Sequence, residues 1–189
     1  MNSIETGRIG FRPVTPDDYA LLEAWLKTPH WREWWGEPEA ELGYIRDMVE
    51  GRDTTRPFVF MVDGMPAGYI QYWFVGDHLE EPWLTEAPWL AQVPADSIGV
   101  DMSIGDAARL SQGLGSAVLK AFTERLRAEG HETIVIDPGI TNKRAVRAYE
   151  KAGFRPLFVS RESSGDTDTP VLIMVQMPEA TRDNSETSR

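Results

Sequence analysis

Residues 97–126 read SIGVDMSIGDAARLSQGLGSAVLKAFTERL, and this stretch decides the fold that we predict for the chain. It opens with an extended apolar segment, Ile98–Ile104, which predicts a β-strand. It closes with apolar residues at the four-residue spacing of one helix face: Leu114, Val118, Phe122 and Leu126. Small residues at 105–115 separate the two, so the stretch predicts a strand, a loop and a helix.

Two glycines, Gly113 and Gly115, keep the first turn of the predicted helix free of bulky side chains. Backbone N–H groups there can come within hydrogen-bond distance of a ligand's oxygen atoms. The same groups carry the positive end of the helix dipole, so the turn suits a pyrophosphate. The stretch lacks the third glycine of a dinucleotide-binding motif and the Gly-Lys-Ser/Thr ending of a P-loop. Neither a dinucleotide-binding fold nor a nucleoside triphosphatase is favoured.

A second strand and helix follow at residues 133–154. The apolar segment 133–136 predicts the strand, and the helix is expected to begin near Asn142, a good N-cap, and to end at Gly153, a good C-cap. The two units together resemble the acetyl-CoA-binding half of the GCN5-related N-acetyltransferases (GNAT), which carry N-x-x-A-x-x-x-Y-E-K-x-G-F. This chain has that motif as Asn142, Ala145, Tyr149, Glu150, Lys151, Gly153 and Phe154.

Length and composition predict one domain. The chain has 189 residues and no cysteine, so neither a disulfide nor a thiolate metal site can form. We expect a single N-acetyltransferase domain at 1–177 and a polar, frayed tail at 178–189. The three histidines lack metal-ligand spacing, so no metal is predicted. The longest apolar run, 58–62, is too short to span a bilayer, and the amino terminus lacks a signal-peptide pattern, so we expect a soluble cytoplasmic protein.

Charge is distributed unevenly along the chain. The formal net charge of −11 argues against binding to nucleic acid or to an anionic membrane. Residues 57–108 contain eight acidic residues and no Lys or Arg, whereas residues 109–161 contain ten basic and five acidic residues. One part of the chain therefore suits a cationic ligand and the other a phosphorylated one, although a solvated acidic surface would explain the first part equally well.

The remaining patterns complete a mixed α/β (α+β) architecture. Further strands are predicted at 8–14, 58–62, 67–75, 155–160 and 170–176, with helices after Thr15 and at 39–49, a turn at 163–168 and a substrate-facing flap at 76–96. This order predicts a central mixed β-sheet flanked by helices. The resemblance implies the GNAT fold, in which the strands ending near Ile104 and Ile136 lie parallel and splay apart around the pantetheine arm of the coenzyme.

Within that superfamily the chain is most similar to the aminoglycoside 6'-N-acetyltransferases. The similarity covers about residues 8–176 and rests on four segments: Glu33-Trp34-Trp35-Gly36, Gly68-Tyr69-Ile70-Gln71, Gly99-Val100-Asp101 leading to Gly113-Leu114-Gly115, and Asp137-Pro138 ahead of the motif helix. It implies that acetyl-CoA, as co-substrate, donates an acetyl group to a primary amine of a cationic small molecule, such as an aminoglycoside 6'-amine. Direct attack is expected because no cysteine can carry an acyl intermediate.

Two other functions stay open from the sequence. One is an acyltransferase that acts on a hydroxylated lysine or a polyamine in siderophore assembly. The other is a non-catalytic regulator that binds acyl-CoA. The chain also departs from the superfamily at Leu110, where an Arg or Gln usually opens the pyrophosphate loop. Phosphate binding must then depend on backbone N–H groups, with help from Gln112 or Arg109. The oligomeric state is left as monomer or homodimer.

The resemblance and the loop geometry together predict the coenzyme site. The coenzyme is expected to lie on Gln112, Gly113, Leu114, Gly115 and Ser116. The resemblance implies that Asn142 hydrogen-bonds its arm; the structural alternative is a cap of the motif helix, and the two roles are compatible. The strand residues Met102, Ser103 and Ile104 are expected to pair with the pantetheine amides and to offer an N–H to the thioester oxygen.

The predicted catalytic residues are Asp101 and Tyr149. A tyrosine, with a pKa near 10, is protonated at neutral pH and can donate to a departing thiolate. The alternative for Tyr149 is a core aromatic. An aspartate near pKa 4 is an inefficient base for an ammonium group, so anchoring the cation is the safer role for Asp101 and Asp137, with base catalysis as a second role for Asp101. The substrate-binding set is completed by Trp34, Trp35 and Gln71.

Overall fold

The computed structural model describes residues 8–164 and 167–177 and contains a seven-stranded mixed sheet in the order β1-β2-β3-β4-β5-β7-β6. The strands are β1 (Ile9–Pro13), β2 (Arg56–Val62), β3 (Met65–Phe74), β4 (Ile98–Ile104), β5 (Ile134–Ile136), β6 (Arg155–Ser164) and β7 (Thr167–Gln176). The helices are α1 (Tyr19–Leu26), α2 (Pro29–Arg32), α3 (Pro38–Val49), α4 (Trp83–Glu86), α5 (Leu114–Ala128) and α6 (Lys143–Lys151). The predicted polar tail, 178–189, lies outside the described residues.

The expected strand–loop–helix unit and motif helix are both present. Helix α5 begins after Gly113, whose φ of 85° is the left-handed conformation that favours glycine. Helix α6 begins after Asn142, whose side chain accepts the N–H of Ala145 at 3.1 Å, and it is followed by Gly153 at φ 99°. Both predicted caps of the motif helix are confirmed.

Strands β4 and β5 are parallel but pair over two residues only, Ile98 with Ile134 and Gly99 with Val135. Beyond Ile136 the chain turns toward β7, because Pro138 O accepts the N–H of Leu172 at 2.9 Å and Gly139 bridges Val171. The second half of β4 is thus left with an open edge. The predicted parallel, splayed arrangement is confirmed.

Helices cover both faces of the sheet. Alternate residues of a strand face opposite sides, so Phe58 and Phe60 pack toward α5 while Val59 packs toward α1, α2 and α3. On the latter face, beside the helices, a third apolar cluster joins residues 75–93 to β5 and β7. Across the described residues, no helix has the length and apolar character needed to cross a membrane.

Residues 76–96 differ from the predicted substrate-facing flap. They contain α4 and two short 3-10 turns, and they bury Trp89 and Leu90, which are 1% and 2% exposed. Their apolar residues pack on β7, so the segment is anchored to the sheet. The hairpin of β6 and β7 is also longer than predicted, because the pairing continues through Glu162 with Thr169 to Ser164 with Thr167.

Candidate active site

A cleft of about 890 Å³ lies where β4 and β5 part. That volume is within the range of small-molecule sites, roughly 300–1,000 Å³. The cleft brings together thirteen of the predicted site residues: Trp34, Trp35, Gln71, Asp101, Met102, Ser103, Ile104, Gly113, Gly115, Ser116, Asp137, Asn142 and Tyr149. Residues from distant parts of the sequence therefore line one cleft.

Two predicted coenzyme contacts, Gln112 and Leu114, do not line the cleft. The amide Nε2 of Gln112 folds back to donate to Ala108 O at 2.5 Å. The Leu114 side chain is buried in the core beneath α5. The help expected from the Gln112 side chain is therefore not found, and the backbone N–H role expected for residues 112–116 does not depend on either side chain.

Alternation along β4 decides which residues direct their main-chain N–H and C=O groups toward its open edge. The N–H of Ile98 donates to Thr133 O, on the β5 side, at 3.1 Å, whereas the N–H of Gly105 donates to Ala67 O, on the β3 side, at 2.9 Å. Alternate residues between these two points face alternate edges. The main-chain groups of Met102 therefore face the cleft, and those of Ser103 pair with β3, so the backbone role expected for Ser103 is wrong.

The carbonyl of Ile104 is already hydrogen-bonded within the protein. It accepts from Trp31 Nε1 at 2.9 Å and from His30 Nε2 at 2.8 Å. A carbonyl only accepts, so His30 carries a hydrogen on Nε2. These contacts leave Met102 as the residue of this edge with both main-chain groups available. The sequence carried no signal for His30, because it reaches β4 only through the tertiary packing of α2.

One side of the cleft is rich in hydrogen-bond donors and positive charge. The first helical bond of α5 runs from Ala117 N–H to Gly113 O at 3.1 Å, so the N–H groups of Gly115 and Ser116 have no acceptor in the helix. Helix α6 adds Arg144, Arg147 and Lys151, which share one helix face and line the cleft. These three residues were not predicted from the sequence, although their spacing of three and four positions is visible there.

Asp101 stands on the acidic side of the cleft, and its orientation is set by two donors. Gln71 Nε2 and Trp73 Nε1 both donate to Oδ2, at 2.9 and 3.0 Å. The hydroxyl of Tyr69 in turn donates to Gln71 Oε1 at 2.5 Å. Burial raises the pKa of Asp101, the hydrogen bond from Gln71 opposes the rise, and the charge of Glu162 adds to it. Among the described donors none reaches Oδ1, which leaves that oxygen for a ligand.

Three further carboxyl groups extend the acidic side. Burial raises the pKa of Asp137 well above its usual range, and the charges of Glu162 and Asp101 raise it further. Glu162 is oriented by Trp89, whose Nε1 donates to Oε1 at 2.9 Å. Burial also raises the pKa of Glu41, a half-buried residue of α3. Glu41 and Glu162 were not predicted, because each reaches the cleft through contacts between distant parts of the chain.

Tyr149 lies between the acidic and basic sides. Its ring packs against Phe154 at 6.3 Å between centroids, and the residue also lines the cleft, so both explanations offered by the sequence apply. Burial is the main cause that raises the pKa of Tyr149, and the charges of Asp101 and Asp137 add to the rise. The hydroxyl therefore remains protonated at any physiological pH.

The two predicted substrate-binding tryptophans differ in their freedom to contact a ligand. Trp34 is 37% exposed, and its ring lies so close to Gly139 that a Cβ there would come within 3.2 Å of it. Trp35 packs edge-on against Tyr69 at 5.6 Å and against Trp31 at 5.2 Å. Trp34 offers an open indole face to the cleft, whereas Trp35 mainly supports the wall.

Replacing Gly99 with alanine is expected to disturb Asp101 indirectly, through the neighbouring side chain of Trp73. A Cβ at Gly99 would collide with the indole of Trp73, which is a hydrogen-bond donor to Asp101. Overpacking of this kind costs about 1–3 kcal/mol. We expect a lower melting temperature and weaker binding of a cationic ligand at Asp101. Gly43→Ala in α3 is the control: a Cβ there meets no atom within 4 Å, and alanine should stabilise the helix by about 0.5–1 kcal/mol. Equal melting temperatures for the Gly99 variant and the wild type would contradict the prediction.

A family model and two sequence relatives indicate the same type of protein. A family model described as an acetyltransferase (GNAT) domain matches residues 15–159. The aminoglycoside N(6')-acetyltransferase type 1 of Klebsiella pneumoniae is 32% identical over 180 residues, which cover 91% of this chain and 84% of that protein. A kanamycin resistance protein of Rhizobium radiobacter is 36% identical over 94 residues, which cover 49% of this chain and 82% of that protein.

Solved structures agree with the sequence comparison. The structure of AAC(6')-Ib in complex with paromomycin and acetyl-CoA is similar with a TM-score of 0.76 at 29% identity, covering 95% of this chain and 99% of that one. The aminoglycoside acetyltransferase AAC(6')-Ib in complex with coenzyme A and kanamycin is similar with a TM-score of 0.74 at 30% identity, covering 90% and 95% of the two chains. The similarity in each case extends over most of the chain.

Proposed function

The chain belongs to the acetyltransferase (GNAT) domain family, and from that premise we propose that it acetylates the 6'-amine of an aminoglycoside with acetyl-CoA. The observation that carries the proposal is the separation of charge within one cleft. Basic residues and free N–H groups line one side, carboxyl groups line the other, and the open edge of β4 runs between them. Such a cleft suits an anionic donor and a cationic acceptor at the same time.

The coenzyme side fits the chemistry of acetyl-CoA. The free N–H groups of Gly115 and Ser116 suit the pyrophosphate, and Arg144, Arg147 and Lys151 supply the positive charge that Leu110 cannot. The open main-chain groups of Met102 match an amide-bearing arm in the manner of an added strand. Asn142 caps α6 and also lines the cleft, so we propose a coenzyme contact in addition to the cap. Bound acetyl-CoA supplies the activated acetyl group as a thioester.

The acidic side holds the amine and prepares it for attack. We assign the ammonium group to Oδ1 of Asp101, with Trp34 and Gln71 beside it and Asp137 available to a second cationic group. The raised pKa of Asp101 reduces the difference between its pKa and that of an ammonium group. Each unit of that pKa difference adds about 1.4 kcal/mol to the cost of moving the proton to Asp101. Asp101 thereby accepts the proton, directly or through water, and leaves a neutral amine nucleophile.

The transfer itself needs two further groups of the chain. As the amine nitrogen forms its bond to the acetyl carbon, the Met102 N–H donates to the carbonyl oxygen and stabilises the charge that develops there. As the carbon–sulfur bond breaks, Tyr149 donates its proton to the sulfur, and a proton from the new amide nitrogen replaces it. The products are the N-acetylated amine and a free thiol.

A panel of amines tests this proposal. Kanamycin and neomycin, which carry a 6'-amine, are expected to be acetylated once each by the protein with acetyl-CoA, as seen by thiol release and mass spectrometry. Paromomycin, which differs from neomycin by a 6'-hydroxyl, is the matched control and should give no acetylated product at the 6' position. The reason is that a neutral hydroxyl neither pairs with Asp101 nor attacks as readily as an amine.

The same panel separates the other functions. Turnover of spermidine or hydroxylysine with no turnover of any aminoglycoside would reject the aminoglycoside assignment and favour a polyamine-type acyltransferase. Binding of acetyl-CoA without turnover of any amine would favour a regulator.

A further inference from the structure

Tyr69, Gln71 and Trp73 occupy alternate positions of β3 and share one face of the sheet, and their hydrogen bonds lead to Asp101. We propose that Tyr69 is a positioning residue for acetyl transfer: its hydroxyl fixes the amide of Gln71, which then holds Asp101 ionised and directed at the amine. This inference rests on the proposed function, in which Asp101 binds the amine and takes its proton.

Tyr69 is buried behind the cleft and does not contact a ligand itself. Its side chain is 0% exposed, and it is absent from the described residues that line the cleft. Its ring packs edge-on against Trp35 at 5.6 Å and against Trp31 at 6.3 Å between centroids. Burial is the main cause that raises the pKa of Tyr69 well above its usual value, so the hydroxyl keeps its hydrogen. Any effect of this hydroxyl on the reaction must therefore pass through another residue.

The hydroxyl of Tyr69 has one hydrogen to donate, and two acceptors lie within reach. Gln71 Oε1 is 2.5 Å from the hydroxyl oxygen, whereas Met48 Sδ is 3.7 Å from it. A thioether is a weak acceptor, so the hydrogen goes to Gln71. The oxygen of the Gln71 amide is thereby held inside the protein, and its nitrogen faces the cleft.

Gln71 reaches Asp101 because the two residues lie directly opposite each other in the paired strands β3 and β4. Its Nε2 donates to Asp101 Oδ2 at 2.9 Å, and Trp73 Nε1 donates to the same oxygen at 3.0 Å. A carboxylate oxygen only accepts, so an amide turned by 180° would place two acceptors against each other. With both described donors on Oδ2, Oδ1 is the oxygen that takes the proton of the ammonium group.

The ionisable groups around Asp101 make the hydrogen bond from Gln71 important. Those that interact with its charge are Glu41 of α3, Tyr69 of β3, Asp137 after β5, Tyr149 of α6 and Glu162 of β6. The two tyrosines are neutral, and each carboxyl group, when ionised, favours protonation of Asp101. The bond from Gln71 favours the ionised form instead. Without the Tyr69 hydroxyl, the amide loses its second anchor and this bond weakens, so the pKa of Asp101 is expected to rise.

The pH dependence of kcat/KM for kanamycin tests this role. The value falls as the pH drops through the pKa of the base in the free enzyme, so a higher pKa of Asp101 moves the fall to higher pH. For Tyr69→Phe we expect a shift of about 0.5–1 pH unit, part of the effect of a hydrogen bond to a charged group. On the acidic side kcat/KM should be about three- to tenfold below the wild type, and on the plateau within about twofold of it.

Tyr19→Phe is the matched control for the loss of a buried hydroxyl. The hydroxyl of Tyr19 is buried beside the same apolar cluster as Tyr69, and it has no hydrogen-bond partner in the part of the chain that the structure describes. Its removal should leave the pH profile of the wild type unchanged. A profile of Tyr69→Phe that coincides with those of the wild type and Tyr19→Phe would overturn the inference.

A double-mutant cycle shows whether Tyr69 acts through Gln71. Gln71→Met removes the amide, keeps a side chain of similar length, and should shift the pH profile at least as far as Tyr69→Phe does. The double variant should match Gln71→Met, because the hydroxyl then has no amide left to hold. A merely structural role of Tyr69 would shift the profile equally in both backgrounds, and that result would overturn the inference.

A measurement without any amine separates the inference from the proposed function. In the ligand-free protein with ¹³C-labelled aspartate carboxyl groups, the Asp101 resonance is the one that Asp101→Asn removes. It should titrate at a higher pH in Tyr69→Phe and in Gln71→Met than in the wild type. If the titration moves but no aminoglycoside is acetylated, the positioning role stands and the proposed function fails. If kanamycin is acetylated but the titration is the same in the wild type and either variant, the positioning role is rejected and the proposed function stands.

Discussion

Asp101→Asn is expected to lower kcat/KM for kanamycin roughly 100-fold, which is within the range for loss of a buried charge partner or a general base. Asparagine has the size of aspartate and still offers one oxygen to Gln71 and Trp73, so the hydrogen bonds behind the residue can persist. What disappears is the negative charge that holds the ammonium group and accepts its proton. Initial rates over a range of kanamycin and acetyl-CoA concentrations measure the effect.

The melting temperature of Asp101→Asn shows whether a loss of activity is caused by unfolding or by loss of the charge. Because the pKa of Asp101 is raised in the folded protein, its ionised form at neutral pH costs folding free energy, and that cost grows as the pH rises through the folded pKa. The Asp101→Asn substitution therefore should not lower the melting temperature at pH 8, and acetyl-CoA affinity should be unchanged. Asp96→Asn, an exposed position just before β4, is the matched control and should retain full activity. Near-normal kcat/KM in Asp101→Asn would remove Asp101 from the mechanism.

Tyr149→Phe is expected to lower kcat roughly 100-fold, a typical contribution of a general acid, while both KM values stay within about twofold. Phenylalanine keeps the ring that packs against Phe154 and loses only the hydroxyl. Steady-state kinetics and the melting temperature together separate loss of the acid from loss of packing. Tyr72→Phe is the control, since Tyr72 is also half-buried but packs against Phe58 and does not line the cleft.

The pH profile adds a test of the same role. A general acid must be protonated, and the pKa of Tyr149 is raised above its usual value near 10 by burial and neighbouring carboxylates. The wild-type kcat should therefore not decline between about pH 8 and pH 10, where an ordinary tyrosine begins to ionise. A kcat for Tyr149→Phe within about twofold of the wild type would show that another group, or water, protonates the sulfur.

The motif regions were predictable because their signals are local. The spacing of apolar residues in α5 and the caps of α6 at Asn142 and Gly153 depend on interactions within a few positions, and the structure has both helices where they were expected. The small residues around Gly113 likewise indicate a loop that a ligand can approach. These features determine the family resemblance, which the family comparison confirms.

Residues 76–96 show the limit of such signals. Their proline and acidic residues are typical of an exposed loop, yet Trp89 and Leu90 bury the segment against β7. Whether a tryptophan faces solvent or core depends on what another part of the chain places next to it. The same reason explains why Trp34 is open to the cleft and Trp35 supports its wall.

The sequence by itself determined the strand–loop–helix unit, the motif helix and, through the family resemblance, the type of reaction, and it indicated two carboxylates on adjacent strands, Asp101 within β4 and Asp137 directly after β5. Only the tertiary structure decided which groups face one another. Trp73 orients Asp101 from a neighbouring strand, and Trp89 orients Glu162 of β6, which lines the same cleft. The physical reason is that helix caps and periodicities are short-range, whereas the burial, hydrogen bonding and charge that tune a carboxyl group come from residues far apart in sequence.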